Sequence, residues 1–130
     1  MAKKKLVLCD SNILIHVPRG RMDVKERMEN IGNENICLSL ITVAEIYAGA
    51  NNKLDFAFLK KTIEKYNIFS INDEVSNVFH GLILNYTLSH HIQIPDAFIA
   101  ATAIANGIEI YTENTGDFKF IPELKFYHAK

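Results

Sequence analysis

The chain has 130 residues, 48% of them hydrophobic, with a formal net charge of −1 and two cysteines. That length predicts one domain, residues 1–130, able to bury about two thirds of the surface its unfolded form exposes without a disulfide. A near-neutral balance excludes binding polyanions by bulk positive charge, and the four apolar residues Leu6-Val7-Leu8-Cys9 are too few for a signal peptide or a membrane span, so a cytoplasmic protein is expected.

The first apolar run, Leu6 to Cys9, reads as a strand and ends on Asp10. A short helix through Ile13 to Ile15 follows, for which Asp10 could serve as the N-cap. A second helix is expected over Met22 to Asn30, and the basic residues Arg19, Arg21, Lys25 and Arg27 cluster around the loop before it. They could give a nucleic acid a local foothold that the net charge does not; Lys53, Lys60, Lys61 and Lys65 form a second basic stretch. Cys9 and Cys37 fall inside apolar runs with no C-x-x-C spacing, which predicts two buried thiols.

Ile36 to Ile41 reads as the second strand, and a helix over 42–50 follows it. Thr42-Val43-Ala44-Glu45 fits a capping box, in which the Glu reaches back to a backbone N–H. Phe56, Leu59, Ile63 and Tyr66 predict a helix over 54–66, with Leu54 and Phe58 as surplus apolar surface on its flank. Asn67 to Ile71 is a third strand. Val75, Val78, Phe79, Leu82, Ile83 and Tyr86 keep helical spacing without a miss, so a helix covers 73–89, capped by Asn72 or Asp73.

Asp96 opens a helix that reads Ala97-Phe98-Ile99-Ala100-Ala101-Thr102-Ala103-Ile104-Ala105, apolar nearly all round and therefore buried. Pro95 sets its entry and Asn106-Gly107 its stop. The helix dipole stabilises an acid there by about 0.3–1 kcal/mol, too little to select one at the mouth of a buried helix, so a charged partner explains it better. Ile108 to Thr112 is a fourth strand, followed by Asp117 in a turn, and Lys125 to Tyr127 a weak fifth.

Apolar strands separated by helices predict a three-layer α/β protein with a mostly parallel sheet of about five strands. Two helices between strands 2 and 3, and again between 3 and 4, leave the helix at 73–89 without an assigned place. Strand C-termini and helix N-termini then share one edge, where such sheets bind ligands. Asp10, Glu45, Asp96 and Asp117 would converge there. At about 5 Å and an effective dielectric of about 20, each like-charge pair costs roughly 3 kcal/mol. The group must protonate or hold a cation, and oxygen donors favour Mg²⁺ or Mn²⁺ over Zn²⁺. No Walker A, G-x-G-x-x-G or G-x-S-x-G motif offers another chemistry, and Ser11 and Ser39 have no neighbouring His.

Four blocks, Leu8-Cys9-Asp10-Ser11-Asn12-Ile13-Leu14-Ile15, Thr42-Val43-Ala44-Glu45-Ile46, Ile94-Pro95-Asp96-Ala97-Phe98-Ile99-Ala100-Ala101 and Tyr111-Thr112-Glu113-Asn114-Thr115-Gly116-Asp117-Phe118, resemble the PIN-domain nucleases, most closely the VapC-type toxins of prokaryotic toxin–antitoxin pairs. The resemblance implies a Mg²⁺- or Mn²⁺-dependent endoribonuclease with one or two ions held by Asp10, Asp96 and Asp117, and Glu45 orienting water or completing a second ion's shell. Ser11, Asn12, Thr112 and Asn114 would orient the carboxylates, Ser11 standing where Thr is common in the family. Glu113 departs from a basic or amide residue and adds negative charge. The apolar flank of 42–66, with Tyr47, Phe56 and Phe58, would be the groove for a VapB-like antitoxin, and a homodimer is implied. A PIN-domain RNA-processing nuclease outside a toxin pair is the alternative. A phospho-accepting receiver domain needs adjacent acids after strand 1, where this chain has Ser11 and Asn12.

Overall fold

The computed structural model describes residues 5–16, 20 and 22–128, and for Ile15 and His16 the backbone only. The element order is β1 (Val7–Cys9), α1 (Ser11–His16), α2 (Met22–Ile31), β2 (Ile36–Ser39), α3 (Leu40–Ala48), α4 (Lys53–Ile63), β3 (Asn67–Phe69), α5 (Asp73–His90), α6 (Ile94–Asn106) and β4 (Glu109–Tyr111). The strands form one parallel sheet in the order β3-β2-β1-β4, flanked by helices on both faces. The α/β class and the parallel sheet are as expected. Among the described residues the strands number four: of the fifth, only a bridge between Ile110 and Phe126 forms, because Lys125 and Tyr127 bond the two sides of Ile110 without a continuing ladder.

The helix pairs that a simple alternating path cannot place are accounted for by the two faces. Val7, Cys9, Ile36, Leu38 and Tyr111 point to one side, packing on Ile13 of α1, Val24, Met28 and Ile31 of α2, Val43 of α3 and Ile63 of α4. Leu8, Cys37 and Ile110 point to the other, against Val75 and Leu82 of α5 and the alanine-rich face of α6. This is the period-two alternation of a strand covered on both faces. The chain steps β1 to β2 to β3 under one helical layer, then returns across the other face to lay β4 beside β1. The reversal leaves a crevice at the C-terminal ends of β1 and β4.

Local chemistry sets the boundaries. β2 ends at Ser39, two residues earlier than the apolar run suggests, because Ser39 adopts the N-cap of α3 and its side chain accepts the Ile41 N–H at 3.3 Å. The expected capping box at Thr42 and Glu45 is therefore not the cap: Thr42 is already the third residue of the helix. Asn72 caps α5 through the Val75 N–H, as expected. Gly107, at φ 64°, ends α6 in the left-handed conformation, and the Ile108 N–H returns to the Ala103 carbonyl at 3.0 Å. That tight stop makes α6 antiparallel to β4 and brings its N-terminus to the strand C-terminal edge. Cys9 and Cys37 are free, buried thiols. Among the described residues no helix is long and apolar enough to cross a membrane.

Candidate active site

Asp10 is the residue next after β1, and the ladder places it. Cys9 pairs with Tyr111, and the Asp10 N–H donates to the Tyr111 carbonyl at 3.1 Å, extending the β1–β4 pairing by one step. That register sets Thr112 beside Asp10, and the Thr112 hydroxyl donates to Asp10 Oδ2 at 3.0 Å. Oδ1 accepts the Ser11 N–H at 2.7 Å, with the Ser11 hydroxyl at 3.4 Å. Asp10 is only 6% exposed, so these bonds hold a buried carboxylate in a set orientation. It borders α1 where a cap would stand, but one of its oxygens is committed across the sheet.

Asp96 is the third residue of α6, half-buried at the helix mouth. Its carboxyl is pushed up to about 6, first by burial, then by Asp117, Asp10 and Glu45. Glu45, in the middle of α3, is exposed and is also pushed up, by partial desolvation and by Asp10. Asp117 closes a 3-10 turn over Thr115–Asp117 and is exposed, while Phe118 beside it is fully buried and anchors the turn. The four acids thus occupy one electrostatic neighbourhood at the predicted edge. As they stand, however, among the described residues no three His, Cys, Asp or Glu side chains draw close enough to share one ion.

Of the expected supporting groups, Ser11 and Thr112 bond Asp10 directly. Asn114 takes part through its backbone, donating its N–H to Thr112 Oγ1 at 3.0 Å, while its side chain is exposed. Asn12 lies half-buried in the first turn of α1. Thr112→Val removes a hydrogen bond to a buried charge, which should cost about 1.5–3 kcal/mol, and Thr112→Ser should restore most of it. Urea unfolding of the two variants measures this, and equal stability would exclude the hydroxyl as a support.

Arg19 and Arg21 lie outside the described residues. Lys25 is on α2 and exposed. Arg27, two residues on, donates to the Tyr111 hydroxyl at 3.5 Å, and its guanidinium is pushed up by Tyr111 and, more weakly, by Asp23 and Glu113. The negative charge of Glu113 therefore has a basic neighbour. The lysines of α4 are exposed.

Sequence patterns did not reveal Ser39 and Thr102. Both are wholly buried, with hydroxyls 3.3 Å apart, and Thr102 also donates to the Phe98 carbonyl at 2.7 Å. This contact ties the start of α3, which carries Glu45, to α6, which carries Asp96. The available signal was a single hydroxyl in an otherwise apolar helix. Thr42, in the same helix as Glu45, buries its hydroxyl without a hydrogen-bond partner.

The sequence profile of the PIN domain matches residues 7–123, nine tenths of the chain. The chain belongs to the PIN-domain family. A protein named Ribonuclease VapC from Rickettsia bellii is 28% identical over 127 residues, covering 92% of each chain. A solved toxin–antitoxin complex from Klebsiella pneumoniae contains a chain 31% identical, with a TM-score of 0.77 over 95% of this chain and 99% of that one. The VapBC2 structure from Rickettsia felis, bound to a promoter DNA fragment, superposes with a TM-score of 0.81 over 96% and 99% at 20% identity, a likeness of fold. The resemblance read from the four sequence blocks agrees with these relatives.

Proposed function

We propose that this PIN-domain protein is a divalent-metal-dependent endoribonuclease, the toxin of a toxin–antitoxin pair, acting in the cytoplasm. The observation that carries the reading is the placement of Asp10 at the β1–β4 switch point, held by Thr112 across the sheet, with Asp96 at the mouth of α6, its carboxyl pushed up to about 6 by burial and by the charges of Asp117, Asp10 and Glu45. Perturbed carboxylates in a crevice are a functional signature. The kinship with a protein named as a ribonuclease and with a toxin–antitoxin complex supplies the substrate class and the partner.

The donors suit a hard cation such as Mg²⁺ or Mn²⁺, since all are carboxylate or hydroxyl oxygens. Asp10, Asp96 and Asp117 would hold one or two ions, with Glu45 at the margin. An ion held there would supply Lewis-acid chemistry toward a phosphate oxygen and a water. The protein's own part is orientation. Thr112 and Ser11 hold Asp10 in one rotamer, the Ser39–Thr102 contact sets Glu45 relative to Asp96, and exposed Glu45 can accept a proton from water. Cleavage of end-labelled RNA, present with Mg²⁺ or Mn²⁺ and lost with EDTA, tests the proposal; metal-independent cleavage or none would overturn it.

The antitoxin surface is the flank of α3 and α4. Leu54 is 85% exposed and Phe58 61%, and Tyr47 stacks on exposed Phe56 at 4.8 Å. Leu54, Phe56 and Phe58 are surface rather than core, while half-buried Tyr47 joins them to it, and an apolar patch of this kind marks an interaction site. Phe58→Ala should weaken binding of the cognate antitoxin by about tenfold or more, the usual weight of a buried aromatic anchor, and leave the melting temperature unchanged. Calorimetric titration measures this, and unchanged affinity would remove the patch from the interface. A second copy of the chain is the further partner we assign; sedimentation equilibrium of the isolated protein reads it directly.

A further inference from the structure

Three rings meet where the C-terminal end of α5 packs against the segment that follows Asp117. His90, the last residue of α5, stacks on Phe120 with centroids 4.3 Å apart and planes 14° from parallel. Tyr86, one turn earlier, meets both edge-on, at 5.7 Å from His90 and 5.1 Å from Phe120. The Ser89 hydroxyl lies 2.7 Å from His90 Nδ1. A histidine at a helix end ordinarily samples several rotamers, but this one is fixed by a ring face, a ring edge and a hydrogen bond. His90 is nevertheless exposed, whereas Phe120 and Tyr86 are half-buried against the α5–α6 core. With one face on Phe120, His90 still leaves much of its surface to solvent.

The cluster shares its chain segments with the acids. Phe120 is three residues from Asp117, at most about 11 Å of extended chain, and the turns there, with the Lys119 N–H on the Thr115 carbonyl at 2.8 Å, shorten it. His90 is joined to α6 by His91, left-handed at φ 50°, and two further residues, so it lies at the corner from which Asp96 begins. A fixed aromatic ring joined by short chain segments to carboxylates that would act on a phosphodiester matches what single-stranded nucleic acid requires: a π surface for a base within a nucleotide or two of the backbone being cut.

We propose that the Tyr86–His90–Phe120 cluster is a nucleobase-stacking site, on which a base one or two nucleotides from the scissile bond packs against the His90 ring. This rests on the nuclease reading of the adjoining acids. Stacking is tolerant of base identity because every base has a π face, so the site contributes affinity and register rather than sequence choice.

The test uses the full chain carrying Asp96→Asn, in Mg²⁺, so that RNA is bound and not cut. Short single-stranded RNAs with 2-aminopurine at successive positions should show quenching at one position. His90→Ala should abolish that quenching and weaken binding about 5- to 100-fold, while His90→Phe restores both. An RNA lacking the base at that position should bind the His90→Ala protein and its parent equally. In the otherwise unmodified chain, His90→Ala should raise KM and leave kcat within about twofold. Equal affinity with and without the His90 ring, a loss that persists on the abasic RNA, or no quenching at any position overturns the proposal. Cleavage without His90 dependence removes the stacking site alone. His90-dependent quenching in a protein that cuts no RNA removes the nuclease reading alone.

Discussion

Asp96→Asn is expected to lower metal-dependent RNA cleavage by at least about a thousandfold and, in the absence of metal, to raise the melting temperature. Both effects arise from the same charge. The folded-state carboxyl sits at about 6 against an ordinary 3.8, so the folded protein holds the proton more tightly than the unfolded chain does. The contribution of Asp96 to stability is therefore at its best below about pH 4 and is lost as the pH rises through 6. A shift of this size corresponds to at most about 3 kcal/mol, and partial solvent access reduces it to about 1–2 kcal/mol at pH 7. For a chain of this length that is roughly 3–8 °C. The amide avoids the penalty, so the gain of the variant should be absent at pH 4 and full at pH 7. Added Mg²⁺ should stabilise the wild-type protein by mass action and the variant much less. Thermal scans at the two pH values, with and without Mg²⁺, measure all of this; a variant no more stable than wild type at pH 7 without metal would show that Asp96 is not held under charge repulsion.

Phe118→Ala should be the most costly single truncation near the site. Phe118 is the largest of the fully buried side chains, and it packs in the core shared by α5, α6, Leu8 and Ile110. Removing a buried phenyl ring costs about 3–5 kcal/mol, a large share of the 5–15 kcal/mol by which a domain of this kind is stable. The loss is also functional, because Phe118 is covalently next to Asp117 and anchors the turn that presents it. Cleavage should fall even under conditions where the variant is still folded. Phe118→Leu, which refills most of the volume, should recover most of the stability. Urea denaturation with parallel activity assays distinguishes the two effects, and a destabilisation under about 1 kcal/mol would show that the turn is not anchored by this ring.

The family and the parallel sheet were legible in the sequence because each depends on local pattern. A strand buried on both faces must be continuously apolar, a buried helix must lose its polar face, and an acid at such a boundary stands out. Asn72 and Gly107 were legible for the same reason, since caps and stops are chemistry within a few residues. Ser39 was missed because its apolar neighbours Leu40 and Ile41 extend the strand pattern by two residues, while the side-chain cap decides where the helix begins. Lys125 to Tyr127 looked like a strand and forms a single bridge, because pairing depends on a partner that no local pattern reveals. The places of the paired helices, and the Ser39–Thr102 contact, were decided by packing across 63 residues of sequence.

Local spacing thus determined which residues carry the charge: Asp10, Glu45, Asp96 and Asp117 each follow from the apolar run they border. Only the tertiary structure decided how they act on one another. The return of β4 to the side of β1 sets Thr112 against Asp10 and brings Asp117 near Asp96, and burial at the mouth of α6 turns that proximity into a carboxyl near 6. Charge is a property of the residue, but its energetic cost depends on the neighbours and the solvent that folding leaves around it.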